Sequence, residues 1–252
     1  MILYHGSDHK IPVPEYGKGK KDNDYGQGFY MTADIDKAAE WAIANGSDTS
    51  IINKYNIDLS NLNIINLDKY GILTWIAEII SNRGVRGEQS EILGEKIADK
   101  YKIDISQADI VIGYRADDSY MDIVEAFLQN QIDIDEVEKM FYKGKLGLQY
   151  FIQSPKAFEL LQFKGYEIVN ETQYPKYRDD IIARIEVSKF LKQRSNQILL
   201  NGFYPLGITA RDAVKYTYNY NNEYKFYELV NYQNNYNADK GDKDSDCEFE
   251  KE

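Results

Sequence analysis

Apolar side chains open the chain as a short strand, Ile2, Leu3 and Tyr4, which the turn-forming residues Gly6, Ser7 and Asp8 follow, so that His5 is expected at the mouth of the strand. After a polar loop, a second short strand is predicted through Phe29, Tyr30 and Met31, entered between Gly26 and Gly28. The period then changes. Ile35, Ala38, Ala39, Ala42 and Ile43 recur on one face of a helix that Asp34 or Asp36 can cap and Gly46 closes, with Trp41 riding on it. Ser50 to Leu67 alternates as two strands, and Ile72, Leu73, Ile76, Ile79 and Ile80 mark an amphipathic helix ending near Gly84. ADIVIGYRADDSY predicts a buried strand running into a helix capped around Asp118 or Ser119. DIDEVEKMFYKG reads as a short helix stopped by Gly144, and LGLQYFIQS as a strand. PKAFELLQF is a helix with Pro155 in its first turn, and YEIV a last strand.

From Thr172 the texture changes to a charged helical pattern around Asp180 to Leu191 and then a Tyr- and Asn-rich segment to about Tyr236. The closing NADKGDKDSDCEFEKE carries too little apolar surface to order by itself. Three parts are therefore expected: a folded unit over residues 1–170, an accessory helical segment over 171–236, and a disordered acidic tail over 237–252. No internal repeat is visible.

Composition narrows the class. A chain of 252 residues that is 43% hydrophobic can bury a full core. It shows no signal-peptide pattern and no uninterrupted apolar run of bilayer length, so no membrane association is expected. The single cysteine, Cys247, offers no disulfide framework, which fits a reducing cytoplasm. A net charge of −11 disfavours broad non-specific binding to nucleic acid, whose attraction depends on basic residues displacing counterions. The local basic run GKGKK, Gly17 to Lys21, is read first as a solvated loop and second as a nucleic-acid contact. HGSDH brings the chain's two histidines close together, but not on one helical face, and no second His or Cys cluster completes a set, so no metal is expected.

Candidate chemistry rests on the order of a few short stretches. A strand ending in HGS is followed by Gly-x-Gly-aromatic-Tyr, a capped helix, and Trp41 eleven residues after Tyr30. This arrangement resembles the ADP-ribosyltransferases of the poly-ADP-ribose-polymerase and diphtheria-toxin type. LYHGS, GQGFYMTADIDKAAEWA, DIVIGYRADDSY and LQYFIQSPKAFELLQF, in that order, are similar to a bacterial family of unknown function within that superfamily, over roughly Met1 to Val169.

The resemblance implies an α+β fold with a split β-sheet core, surrounding helices and a C-terminal helical appendage, in which residues 1–170 form the catalytic domain. It implies NAD as substrate, transfer of ADP-ribose to a protein or nucleic-acid acceptor, and a role as an intracellular toxin or phage-defence effector that a neutralising antitoxin could accompany. By the same resemblance His5 would hydrogen-bond the adenosine ribose, the Gly6 backbone would read the nicotinamide carboxamide, Ser7 would be among the cofactor-binding residues, and Tyr30 and Trp41 would sandwich the nicotinamide ring. Gly26 and Gly28 would allow the backbone close to the ligand.

Two departures stand out. The serine often found on the capped helix is Ala38 here, and the third strand offers Gln149 where the resemblance leads one to expect glutamate. A glutamine accepts a bond from a ribose hydroxyl but brings no negative charge to an oxocarbenium-like transition state. A Gln149→Glu change is on that ground expected to preserve or raise activity. The rival third residue is Glu223 of NNEYKFY, placed second because Gln149 lies nearer to Tyr30 in sequence and Pro155 opens a helix directly after its strand. Arg115 in RADD could orient Gln149 or the ribose, although a helix cap is preferred for that stretch. GQGF is not a dinucleotide fingerprint of the doubly wound kind, since its glycines precede a strand. The alternatives are a catalytically degenerate protein of the same fold that binds NAD or a partner, and an NAD glycohydrolase.

Overall fold

The structure, a computed structural model, describes residues 1–44, 49–116, 118–143, 147–170 and 178–216. Gly46, Gly144, the Tyr- and Asn-rich segment with Glu223, and the acidic terminus with Cys247 lie outside the described residues. Within them the chain is mixed α/β. Strands β1 (Ile2–Ser7), β3 (Ile51–Asn56) and β7 (Gln162–Ile168) form one antiparallel sheet in the order β1-β3-β7. Strands β2 (Phe29–Met31), β6 (Leu148–Ile152), β5 (Ile110–Tyr114) and β4 (Ile64–Asn66) form a second sheet in the order β2-β6-β5-β4, antiparallel except for the pair β4 and β5.

The two sheets meet where β1 passes β2. Tyr4 N–H donates to the Thr32 carbonyl (2.8 Å) and Thr32 N–H to the Tyr4 carbonyl (2.9 Å). Apolar residues from both sheets close over this junction: Leu3 and Tyr55 from the first, Met31, Ile110 and Ile152 from the second. Helix α1 (Ile35–Ala44) packs its alanines, Ala38, Ala39 and Ala42, on the first sheet around Ile52. Gly6 makes that approach possible: a Cβ there would stand 2.1 Å from the Ala38 carbonyl oxygen. The small residues of α1 and the glycine of β1 are thus one packing device, and β1 runs through Gly6 and Ser7, with His5 inside the strand opposite Asn53.

The helical layer covers the second sheet. Helix α2 (Ile72–Arg83) was expected to be amphipathic, but every residue from Ile72 to Ile80 is buried, Thr74 and Glu78 included. The reason is α3 (Glu88–Tyr101), which the apolar pattern does not reveal. Its buried face is Ser90, Gly94, Ile97 and Tyr101, small and polar positions that let it lie close on α2, where a Cβ on Gly94 would come within 3.3 Å of Ile80. Helices α4 (Asp118–Leu128) and α5 (Ile134–Lys143) complete the layer.

Two boundaries shift. Helix α6 (Pro155–Glu159) is shorter than PKAFELLQF, and β7 starts at Gln162 rather than at Tyr166. Ser154 caps α6 by accepting from Ala157 N–H, but the chain must straighten at once to pair with β3. Helix α7 (Arg178–Asn201) is longer than the charged pattern indicated, and α8 (Ala210–Lys215) follows with a Thr209–Asp212 capping box. These last helices are docked on the core: Val187, Ile208, Ala210 and Ala213 are buried in the main cluster, and Lys100 and Tyr101 donate to the Ala213 carbonyl at 2.8 and 2.6 Å.

Candidate functional site

The junction of the sheets leaves a cavity of about 810 Å³, and His5, Gly6, Ser7, Tyr30, Trp41 and Gln149, scattered over the first 149 residues, all line it. Glu223 lies outside the described residues.

His5 spans the two sheets. Its Nδ1 lies 2.7 Å from the Tyr30 carbonyl oxygen, an acceptor only, so Nδ1 carries the proton and Nε2 keeps its lone pair. The ring packs on Phe29 with centroids 4.2 Å apart. Burial lowers the His5 pKa to about 4, outweighing the carbonyl contact, so the imidazole is neutral at physiological pH. Ser7 is buried at the last position of β1, where its hydroxyl donates to the His9 carbonyl (2.5 Å) and accepts from Asn53 (2.9 Å), fixing the loop that leaves the strand.

Tyr30 packs its ring on Phe151, with centroids 4.9 Å apart. Its hydroxyl donates to the Gly26 carbonyl (2.7 Å) and accepts from Tyr25 N–H (3.0 Å), so it clamps the preceding loop as well as presenting an aromatic wall. Gly28 is required by the protein itself: a Cβ would stand 2.3 Å from the Phe151 ring and 2.5 Å from the Ile152 carbonyl oxygen. Gly6 likewise makes room for α1, so neither glycine has its absent side chain explained by a ligand.

Trp41 is half-buried on the opposite wall. The Arg115 guanidinium carbon sits 5.3 Å from its ring centroid, and its indole N–H is buried without a hydrogen-bond partner among the described residues. Lys18 and Lys20 of the GKGKK run belong to the cavity rim, where Gln27 staples the loop through the Gly17 and Gly19 carbonyls at 2.6 and 2.9 Å. Among the described residues no cluster of three or more His, Cys, Asp or Glu is arranged to hold a metal ion.

Asp24, which the sequence pattern concealed as one more polar turn residue, sits at the floor of the cavity beside Gln149. Its Oδ2 accepts from Gln149 Nε2 (2.8 Å) and Ala116 N–H (2.9 Å), and its Oδ1 from Arg83 (3.2 Å). Burial raises its pKa, opposed by the Ala116 and Gln149 hydrogen bonds and by the charges of Arg83 and Arg115. Next to it the Tyr25 hydroxyl donates to the Tyr114 carbonyl (2.6 Å) and accepts from the Trp75 indole (2.8 Å), and Gly113 leaves the space that hydroxyl occupies. The sequence holds one weak pointer to Asp24: an acid directly before the Tyr25-Gly26 pair, in the loop that enters the Tyr30 strand.

Fold and cavity together define a mixed α/β protein of two sheets, with a polar and aromatic site at the seam between them. The chain belongs to the family described as protein of unknown function (DUF3990), whose model matches residues 1–163. That match covers both sheets except the end of β7, and all six expected site residues. No curated protein and no solved structure matches the chain.

Proposed function

We propose that the cavity binds NAD and that the protein transfers ADP-ribose from it to a macromolecular acceptor, protein or nucleic acid. The observation that carries this reading is the convergence of His5, Tyr30 and Gln149, from β1, β2 and β6, on one cavity that also takes in Gly6, Ser7 and Trp41. In the reading, His5 Nε2 accepts from a ribose hydroxyl, the Tyr30 and Trp41 rings hold the nicotinamide, and Gln149 accepts from the second ribose. Cleavage of the nicotinamide–ribose bond develops positive charge on the sugar, and a site that fixes both rings and offers preset acceptors stabilises that state more than the ground state. Lys18, Lys20, Arg83 and Arg115 give the cavity cationic groups suited to a pyrophosphate. The intracellular toxin or defence role, with a neutralising partner, belongs to the same proposal.

Incubation of the purified protein with NAD labelled in the adenylate moiety, in the presence of cell lysate, tests it. Label on protein or nucleic acid supports the transferase. Free ADP-ribose alone would replace it with a glycohydrolase, and unconsumed NAD would leave a binding protein.

A further inference from the structure

Gln149 is buried, and its amide nitrogen is committed on two sides, to Asp24 Oδ2 at 2.8 Å and to the Tyr114 carbonyl at 3.4 Å. Turning the amide over would set its oxygen against a carboxylate and a carbonyl, acceptor on acceptor, so its orientation is decided by its neighbours. The amide therefore offers its carbonyl oxygen as its acceptor, and an N–H held by a carboxylate pushes electron density toward that oxygen. We propose that Asp24 is the carboxylate of this site, a positioning residue that acts through Gln149, and that the pair holds one negative charge and no more. The catalytic part of this inference rests on the NAD reading; the charge rule does not.

Among the described residues, the charged and titratable groups around the pair are Arg83 from the end of α2, Arg115 after β5, and the Tyr25 and Tyr30 phenols, both held protonated by burial. Arg83 and Arg115 favour one carboxylate there. A second one at 2.8 Å from the first would have to keep a proton, because like charges that close disfavour joint ionisation.

The test compares wild type, Asp24→Asn, Gln149→Glu and the double variant by NAD turnover and by thermal unfolding between pH 5 and pH 8. In Asp24→Asn the new amide oxygen can accept from Gln149 and Ala116 as Oδ2 does, so the orientation of Gln149 is kept while the charge is removed and the Arg83 contact, whose guanidinium then faces an amide NH2, is given up. Its kcat should fall by about 10-fold or more with KM within about threefold, the split expected of an interaction felt in the transition state. Gln149→Glu should lose melting temperature as pH rises, since the folded protein then holds a proton that the unfolded chain has released. The double variant, with the carboxylate moved across the pair, should recover melting temperature and turnover above Gln149→Glu. Wild-type kcat in Asp24→Asn, or a double variant that melts no higher than Gln149→Glu at pH 8, overturns the proposal. Should no protein consume NAD, the transferase reading falls and the melting cycle alone decides the pair: recovery upholds the charge rule, and simple additivity ends it.

Discussion

Asp24 and Glu78 are both acids removed from water, 8% and 0% exposed, yet they sit in opposite kinds of surroundings. Asp24 lies at the floor of the cavity and receives hydrogen bonds from Gln149, Ala116 and Arg83. Glu78 lies on α2 beneath α3, where neither carboxylate oxygen has a hydrogen-bond partner among the described residues and the Lys102 ammonium stands 3.9 Å away. Burial raises both pKa values, that of Glu78 to about 7, with Lys102 opposing and Asp104 adding to the rise. A buried charge with a full set of donors beside a cavity is an organised site, whereas one without donors in a helical layer is a penalty on packing. The two acids should therefore answer mutation oppositely, chemistry changing at one and stability at the other.

The largest effects belong to the cavity. His5→Ala and Tyr30→Ala should each lower NAD turnover by about 10-fold or more, since a lost aligned contact in a closed site costs about 1–3 kcal/mol. Circular dichroism should show both variants folded. Turnover unchanged in both would mean that the seam between the sheets is not where the chemistry happens.

At the other acid, Glu78→Met should stabilise. Replacing a poorly compensated buried charge by an apolar side chain of similar volume is worth about 1–3 kcal/mol. The sign follows from the raised pKa: the folded protein holds a proton the unfolded chain has lost, so wild-type stability declines as pH rises from about 4.5 through about 7. The gain in Glu78→Met, read by urea unfolding, should thus be small at pH 5 and full at pH 8. A loss at pH 8 would show that Glu78 is satisfied in a way its geometry hides.

His5 gives the comparison an opposite slope. Its pKa is lowered to about 4 in the fold, so on acidification from about 6.5 the unfolded chain takes up the proton first and the folded state loses ground until about pH 4. Wild type should lose more melting temperature across that window than His5→Gln. Equal slopes would mean that His5 is not the neutral, sheet-spanning group described.

How far the sequence could be read follows the same division. Strands β1, β2 and β6 and helix α1 were legible because single-face periodicity and turn residues bound them, and the six candidate residues, named through the family resemblance, line one cavity. Helix α3 was not, because a helix that packs through Ser90 and Gly94 buries a face with little apolar signal. The end of α6 was missed because a strand pairing, which is a long-range fact, overrode a helical pattern that continues through Leu160 and Leu161. Asp24 was hidden for a different reason. A turn aspartate and a buried carboxylate look alike in sequence, and only the approach of Gln149, 125 residues away, distinguishes them. Under the one-charge proposal that contact also turns the expected effect of Gln149→Glu around, because the change would add a second carboxyl to an occupied site.

The smallest effect, and the one that best probes how the cavity is held, is Tyr30→Phe. The Tyr30 ring was expected to matter for its face alone, so removal of the hydroxyl should be much milder than removal of the ring. Yet the hydroxyl bridges the Gly26 carbonyl and Tyr25 N–H, in the loop that carries Asp24. Losing two part-buried hydrogen bonds costs about 1–2 kcal/mol, which for a chain of this size lowers the melting temperature by about 2–8 °C. If the clamp serves to hold Asp24 against Gln149, Tyr30→Phe should also lower NAD turnover by about twofold to fivefold, and that loss should shrink in an Asp24→Asn background, because two changes acting through one contact do not add. Full additivity of the two substitutions would separate the clamp from the carboxylate and leave Tyr30 with its ring as the only part that reaches the chemistry.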